Sequence, residues 1–106
     1  MPVHAIWNHR TIASTDEFKI VEGKYYFPPH SVITEYLQKN GNQYVSRWKG
    51  TGDFYDIIVG NQILKDGALI YTNPDEEVSG IKDYITFSEN IVVEKTTYGL
   101  KERNSQ

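Results

Sequence analysis

The stretch DFYDIIVGNQILK, residues 53–65, carries the reading of the fold. Asp53 to Val59 is rich in β-branched and aromatic residues, Gly60-Asn61 is a two-residue loop of the kind that closes a tight hairpin, and Gln62 to Lys65 returns. Shorter units of the same kind lie on both sides. Val3 to Trp7 and Thr11 to Ser14 flank Asn8 and His9, and asparagine tolerates left-handed turn conformations. Phe18 to Glu22 and Tyr25 to Phe27 flank a Gly23-Lys24 pair, and Pro28-Pro29 then stops the ladder by withholding two backbone donors. Gln43 to Trp48, Ala68 to Tyr71, Tyr84 to Phe87 and Ile91 to Glu94 complete the set of expected strands.

Two stretches read as helical. From Ser31 to Lys39 the apolar residues Val32, Ile33, Tyr36 and Leu37 fall at helical spacing, with Ser31 placed to cap and Gly41 to terminate. Asn73-Pro74-Asp75-Glu76 supplies a cap, a proline at the first helical position and an acid at the third, for a helical turn ending near Gly80. The expected fold is therefore mainly β, an antiparallel curled sheet, barrel-like or sandwich, with one or two short helices. Residues 1–95 are expected to form one β domain, and 96–106 a polar C-terminal tail with little to bury.

A chain of 106 residues with 39% hydrophobic content has room for a single core. Its eight Tyr, four Phe and two Trp supply enough buried area per residue to pack it without a metal or a disulfide. The formal charge of −3 removes the long-range attraction that nucleic acid or an acidic membrane would need, so neither is an expected partner. With no cysteine there is no disulfide framework, no thiolate nucleophile and no Cys-ligated zinc. The opening MPVHAIWNHR lacks the apolar run of a signal peptide, and no stretch is long and apolar enough to span a membrane. A cytoplasmic location is expected, and no cofactor.

The densest group of chemical side chains is SRWKGTGDFYD, residues 46–56. Alternation along a strand to Trp48 puts Arg47 and Lys49 on one surface, where two cations call for an anion: Glu22, Asp53, Asp56 or a ligand. Gly50-Thr51-Gly52 follows, and glycines allow successive N–H groups to turn into one anion-accepting concavity; the alternative is a plain turn, since no GxxxxGK[ST] phosphate loop is present. Asp53 and Asp56, three apart on a strand, point to opposite faces and do not share a metal. His4 is expected to pair near Ala13 and away from His9, so those two histidines do not clasp an ion either. His30, after the double proline, lines a pocket or meets water. Tyr25, Tyr26, Phe27, Trp48, Tyr55 and Tyr71 are core residues or the walls of a planar ligand's site.

The order of AIWN at Ala5 to Asn8, IAS at Ile12 to Ser14, VEGKYYFPP at Val21 to Pro29, RWKGTGDFYD at Arg47 to Asp56, then Tyr71, Pro74 and Phe87, resembles the family called domain of unknown function 427. The resemblance runs from about Val3 to Val93. It implies a small, mainly β domain, and the family carries a nucleotidyltransferase-like label. Glu22, Lys49, Tyr55 and Tyr71 match the family pattern, which implies that they line any pocket. Most members have a Cys three residues before the Lys-Gly pair, where this chain has Ser46, and commonly a Trp where it has Leu69. A thiolate mechanism cannot run on Ser46, so the family cysteine is structural or this chain has lost the activity.

Three readings follow. The leading one is a domain that binds a small anionic or polar ligand, with Lys49 and Arg47 for charge, the Gly50 to Gly52 backbone for hydrogen bonds, Glu22 to orient the lysine, and Tyr55, Tyr71 and His30 around the pocket. The second is a transferase or hydrolase with Glu22 or His30 as base and Lys49 stabilising developing negative charge. The third is a protein-interaction module, with a homo-oligomer as its simplest form.

Overall fold

The computed structural model describes residues 2–95, and every structural statement below concerns those residues. The expected tail, 96–106, lies outside them. Three antiparallel sheets account for nearly all the regular structure: β2-β1-β9, β3-β4 and β5-β6-β7-β8. The strands are β1 (Val3–Trp7), β2 (Arg10–Thr15), β3 (Lys19–Val21), β4 (Lys24–Tyr26), β5 (Leu37–Ser46), β6 (Gly50–Val59), β7 (Gln62–Ile70), β8 (Ile85–Phe87) and β9 (Val92–Lys95).

The expected hairpins form, with differences in detail that the turns explain. Asn8 and His9 both take positive φ, 52° and 61°, and close β1 on β2. A register shift between Ala5 and Ile6 then sets His4 opposite Ser14, one residue beyond the Ala13 that an unbroken ladder gives. In the second hairpin the turn is Glu22-Gly23, with φ of 53° and 79°, one residue earlier than the Gly23-Lys24 reading. The shift matters, because it places Glu22 at a hairpin tip. The central hairpin turns at Gly60 (φ 64°), pairing Val59 with Gln62. Its returning strand does not stop at Lys65: β7 runs through to Ile70, absorbing extra residues in a bulge where Asp66 takes a φ of 54°.

The helix expected from Ser31 to Lys39 does not form. Two 3-10 turns, Pro29–Ser31 and Thr34–Tyr36, occupy its beginning, and from Leu37 the chain is already β5. Tertiary pairing outweighs the local spacing: the Ile33 amide donates to Ile12 O, Val32 bridges to Ala13, and Leu37 pairs with Ile57. Ser31 donates its hydroxyl to Pro28 O instead of capping a helix. Gly41, read as a helix stop, sits within β5 at a φ of 87°, in the stretch where the β5–β6 register shifts. The stretch after Asp75 is a 3-10 helix, Glu76–Ile81, so the short helices of this fold are all of that tighter type. No closed barrel results.

One face of the four-stranded sheet packs on β1 and β2 to make the main core, where Val3, Ala5, Ile12, Phe27, Ile57 and Ile85 are all buried. The hairpin β3-β4 is tied alongside β8 by a two-way backbone bridge between Phe27 and Ile85. Tyr26, Tyr71 and Ile81 form a second, smaller cluster on the other face. Registers assign the faces. Tyr44 pairs with Gly52, Phe54 with Leu69, and Leu69 with Thr86, so these side chains share the second face, while Tyr55, Ala68 and Ile85 alternate to the first. No helix among the described residues is long and apolar enough to cross a membrane.

Candidate functional site

β5 ends at Ser46 and β6 begins at Gly50, so Arg47, Trp48 and Lys49 are a loop and not the end of a strand. The expectation that alternation would set Arg47 beside Lys49 fails for that reason. Gly50-Thr51-Gly52 are the first residues of β6, paired with Ser46, Val45 and Tyr44, so their backbone runs in a ladder and not in a concave anion cradle. Gly50 closes the loop at a φ of 93°, and a Cβ there would stand 3.1 Å from Asn73 O.

Two backbone contacts fix Lys49 in this loop. The Ser46 hydroxyl accepts its N–H at 3.1 Å, and its carbonyl accepts the Asp75 N–H at 3.3 Å. Ser46 thus holds the turn with its hydroxyl. Held this way, the Lys49 side chain lies back over the second face of the sheet and is only 10% exposed. Its Nζ is 2.7 Å from Glu22 Oε1, while the other oxygen, Oε2, accepts Trp48 Nε1–H at 3.1 Å. The ammonium also lies 5.4 Å from the Trp48 ring centre, 5.9 Å from Tyr71 and 6.0 Å from Tyr26, within cation–π range of all three.

The charges respond to this arrangement. The hydrogen bond from Lys49 holds the Glu22 carboxyl below its usual 4.5, against a smaller opposing effect of burial. Burial is the largest single influence on Lys49 and favours loss of its proton, but Glu22 and the phenols of Tyr26 and Tyr71 together outweigh it and keep the ammonium above its usual 10.5. Burial raises Tyr71 above 10.0, against the pull of Lys49 and of the Ser46 hydroxyl. At neutral pH the site holds an ammonium at Lys49, a carboxylate at Glu22 and a neutral phenol at Tyr71.

Beside this group the second face is hollow. A cavity of about 420 Å³ lies between it and the β3-β4 hairpin, a volume within the range of small-molecule sites. Tyr26, Tyr44, Phe54, Leu69 and Tyr71 give it an aromatic and aliphatic lining, with Tyr44 and Phe54 edge to face at 6.4 Å. Gly52 is what lets the lining close up: a Cβ there would be 2.8 Å from Leu69 Cδ1 and 3.1 Å from two carbons of the Tyr71 ring. Thr86 also borders the cavity, 3% exposed, and its Oγ1 has no hydrogen-bond partner among the described residues. The ionisable lining is Glu22, Asp66 and Glu89 against Lys24 and Lys49, three acids to two lysines.

Of the residues singled out from sequence, Glu22, Tyr26, Lys49 and Tyr71 line this cavity. Arg47, in the Lys49 loop, and Gly50, the first residue of β6, do not line the cavity, and Arg47 is exposed. Tyr55 is on the opposite face of β6, half-buried against the main core. His30 is in the first 3-10 turn, exposed and 3.2 Å from Glu17, apart from the cavity lining. Tyr44, Phe54 and Thr86 line the cavity as well. For Phe54 a signal is present as alternation, since it stands two residues from Gly52 on β6 as Leu69 stands two from Tyr71 at the end of β7; Tyr44 and Thr86 carry no such signal.

The carboxylates of β6 go separate ways, as their spacing requires. Asp53 accepts from Gln43 at 3.1 Å and lies 3.8 Å from Lys39 Nζ. Asp56 accepts the Asp66 N–H at 3.0 Å and the Asn40 amide at 2.6 Å, contacts that hold it below its usual 3.8 and pin the β7 bulge. Among the described residues no three His, Asp or Glu side chains converge as a metal-ligand group.

Comparison with known families finds a match over residues 1–98 to the model described as domain of unknown function 427. Comparison with curated proteins finds no match.

Proposed function

The chain belongs to the domain of unknown function 427 family, and from that premise and the geometry above we propose that it is a small-ligand-binding domain whose cavity accepts a compact anionic or polar molecule at Lys49. The observation that carries this is the burial of an ammonium beside a cavity walled by aromatic rings. An ammonium has three N–H donors, and Glu22 engages it from one side, which leaves donor capacity for a ligand oxygen. The phenols and Trp48 hold the charge without neutralising it. The surplus of acids around the cavity favours a ligand with a single negative charge over a polyphosphate.

A second reading uses the same pair for chemistry. Glu22 and Lys49 sit on the same side of the sheet, within 2.7 Å, so a base and a charge-stabilising cation are available to one substrate. The nucleotidyltransferase-like family label points the same way.

The test is a thermal-shift screen of carboxylated and phosphorylated metabolites against the native chain and Lys49→Met, which keeps most of the aliphatic stem. Binding at Lys49 raises the native melting temperature with at least one monoanion and leaves the variant's unmoved. Equal shifts in both proteins, or none in either, refute the reading.

A further inference from the structure

The charges along the cavity are unevenly matched. At one end Glu22 and Lys49 answer each other at 2.7 Å. Elsewhere on the lining are Asp66 and Glu89, and neither is in an ion pair among the described residues. Asp66 accepts the Asn40 and Asn42 amides at 2.7 and 3.1 Å, both on Oδ1, which leaves Oδ2 open to a ligand. The Ser88 N–H donates to Gly67 O, so the chain neighbours of Glu89 and Asp66 are joined directly and the two acids share one end of the cavity. Lys24, the other lining lysine, offsets one of them at most. The Lys49 end is marked by Tyr71, whose ring centre is 5.9 Å from Nζ, and Asp66 stands five residues before Tyr71 in the chain. At the rise of a strand those five residues span ~15 Å, less the β7 bulge. Leu69, paired with Phe54, lies between them.

We infer that the cavity takes an elongated zwitterion, with its carboxylate at Lys49, its apolar body along Tyr44, Phe54 and Leu69, and its ammonium at Asp66 and Glu89. This rests on the reading of the cavity as a site for an anion at Lys49 and adds the far end of the ligand. Three features each select one part of it. The Lys49 ammonium, with donor capacity beyond Glu22, selects a carboxylate. The aromatic and aliphatic lining selects an apolar body, and the edge-to-face Tyr44–Phe54 pair borders its path. The acids at the far end select a cation: a plain monoanion adds to a lining that already has three acids against two lysines, and an ammonium on the same molecule cancels that addition. The span sets the length. Side chains reach inward from both ends of the strand segment, so the two ligand charges are to be about 10 Å apart, which an α-amino acid, with both charges at one end, does not provide.

The experiment titrates the isotope-labelled chain by NMR with 8-aminooctanoate, its N-acetyl derivative and octanoate, and with the short pair 4-aminobutyrate and butyrate. In the native chain 8-aminooctanoate binds about threefold tighter than octanoate or the N-acetyl derivative, the effect of one partly exposed ion pair, and it shifts the Asp66 and Glu89 amide signals further than octanoate does. The short amino acid has no such advantage over butyrate, because its ammonium does not reach the far acids. Glu89→Gln, a change at an exposed position, reduces the advantage of 8-aminooctanoate without weakening octanoate. An advantage that is missing in the long ligand, equal in the short one or unreduced in Glu89→Gln overturns the inference. If the zwitterion has no advantage, or no ligand of the series binds, but other monoanions stabilise the native chain and not Lys49→Met, the ligand class falls and the anion site stands. If 8-aminooctanoate binds Lys49→Met as tightly as native, or no anion stabilises the native chain, both fall.

Discussion

Replacing Gly52 by alanine tests the wall of the cavity directly. Gly52 is buried on β6, and its missing side chain is the space into which Leu69 and Tyr71 pack. A methyl group at that position would be 2.8 Å from Leu69 Cδ1 and 3.1 Å from Tyr71 Cδ1 and Cε1. Carbon atoms rest at about 3.5–4.0 Å, so both contacts are well inside the repulsive range. The Leu69 methyl can rotate aside, but the Tyr71 ring is 1% exposed and packed with Tyr26 and Ile81, so it can only push them. Overpacking of this kind destabilises by about 1–3 kcal/mol, and the lower chain entropy of unfolded alanine offsets about 0.4–1 kcal/mol. The expected net loss is about 1–2 kcal/mol. For a domain of this size that corresponds to a fall in melting temperature of about 5–10 °C. Circular dichroism melts of the two proteins measure it, and Leu69→Ala in the Gly52→Ala background should restore only the part that Leu69 contributes. A Gly52→Ala protein melting at or above native would mean that Tyr71 does not lie over Gly52, and the cavity as described would lose its wall.

The remaining predictions concern the loop and the ion pair. Ser46→Ala removes the acceptor of the Lys49 N–H and should lower stability by about 1 kcal/mol in urea melts; no change would show that the hydroxyl does not hold the loop. Glu22 has a folded pKa below 4.5, so its contribution is present above that pH and is lost as pH falls through the lowered value. Lys49 has a folded pKa above 10.5, so its contribution is present below that pH and is lost as pH rises through the raised value. Stability measured from pH 3 to 8 should therefore decline on the acid side, and Glu22→Gln should make that decline shallower. The slope will not vanish, because Asp56 is also depressed and contributes in the same direction. An identical acid limb in Glu22→Gln and native would count against the pair.

The turns were legible because a turn is a local event. Asn8-His9 and Gly60-Asn61 close hairpins where the sequence places residues that accept positive φ, and the antiparallel β class follows from them. Bulges were not legible. The shifts near Ala5, Gly41 and Asp66 depend on how two strands fit each other, and each moves residues relative to simple counting. The stretch from Ser31 to Lys39 shows the same limit more strongly. Val32, Ile33, Tyr36 and Leu37 fit helical spacing, but a run this short is marginal as a helix, and the open hydrogen bonds of β2 and β6 claimed it.

For the site, the sequence by itself determined which chemical groups were available: Glu22 beside a hairpin glycine, Lys49 directly before Gly50, and Tyr71 at the end of a strand. Tertiary structure alone decided which of them meet. The Phe27–Ile85 bridge sets the β3-β4 hairpin against β8, and with Glu22 in the turn of that hairpin its carboxylate meets Lys49, 27 residues further along the chain. Strand parity then divides the tyrosines, giving Tyr71 and Tyr44 to the cavity and Tyr55 to the core. Spacing along a chain fixes how neighbours alternate, but which face becomes a core and which remains hollow is set by the element that packs against it, and that partner is distant in sequence.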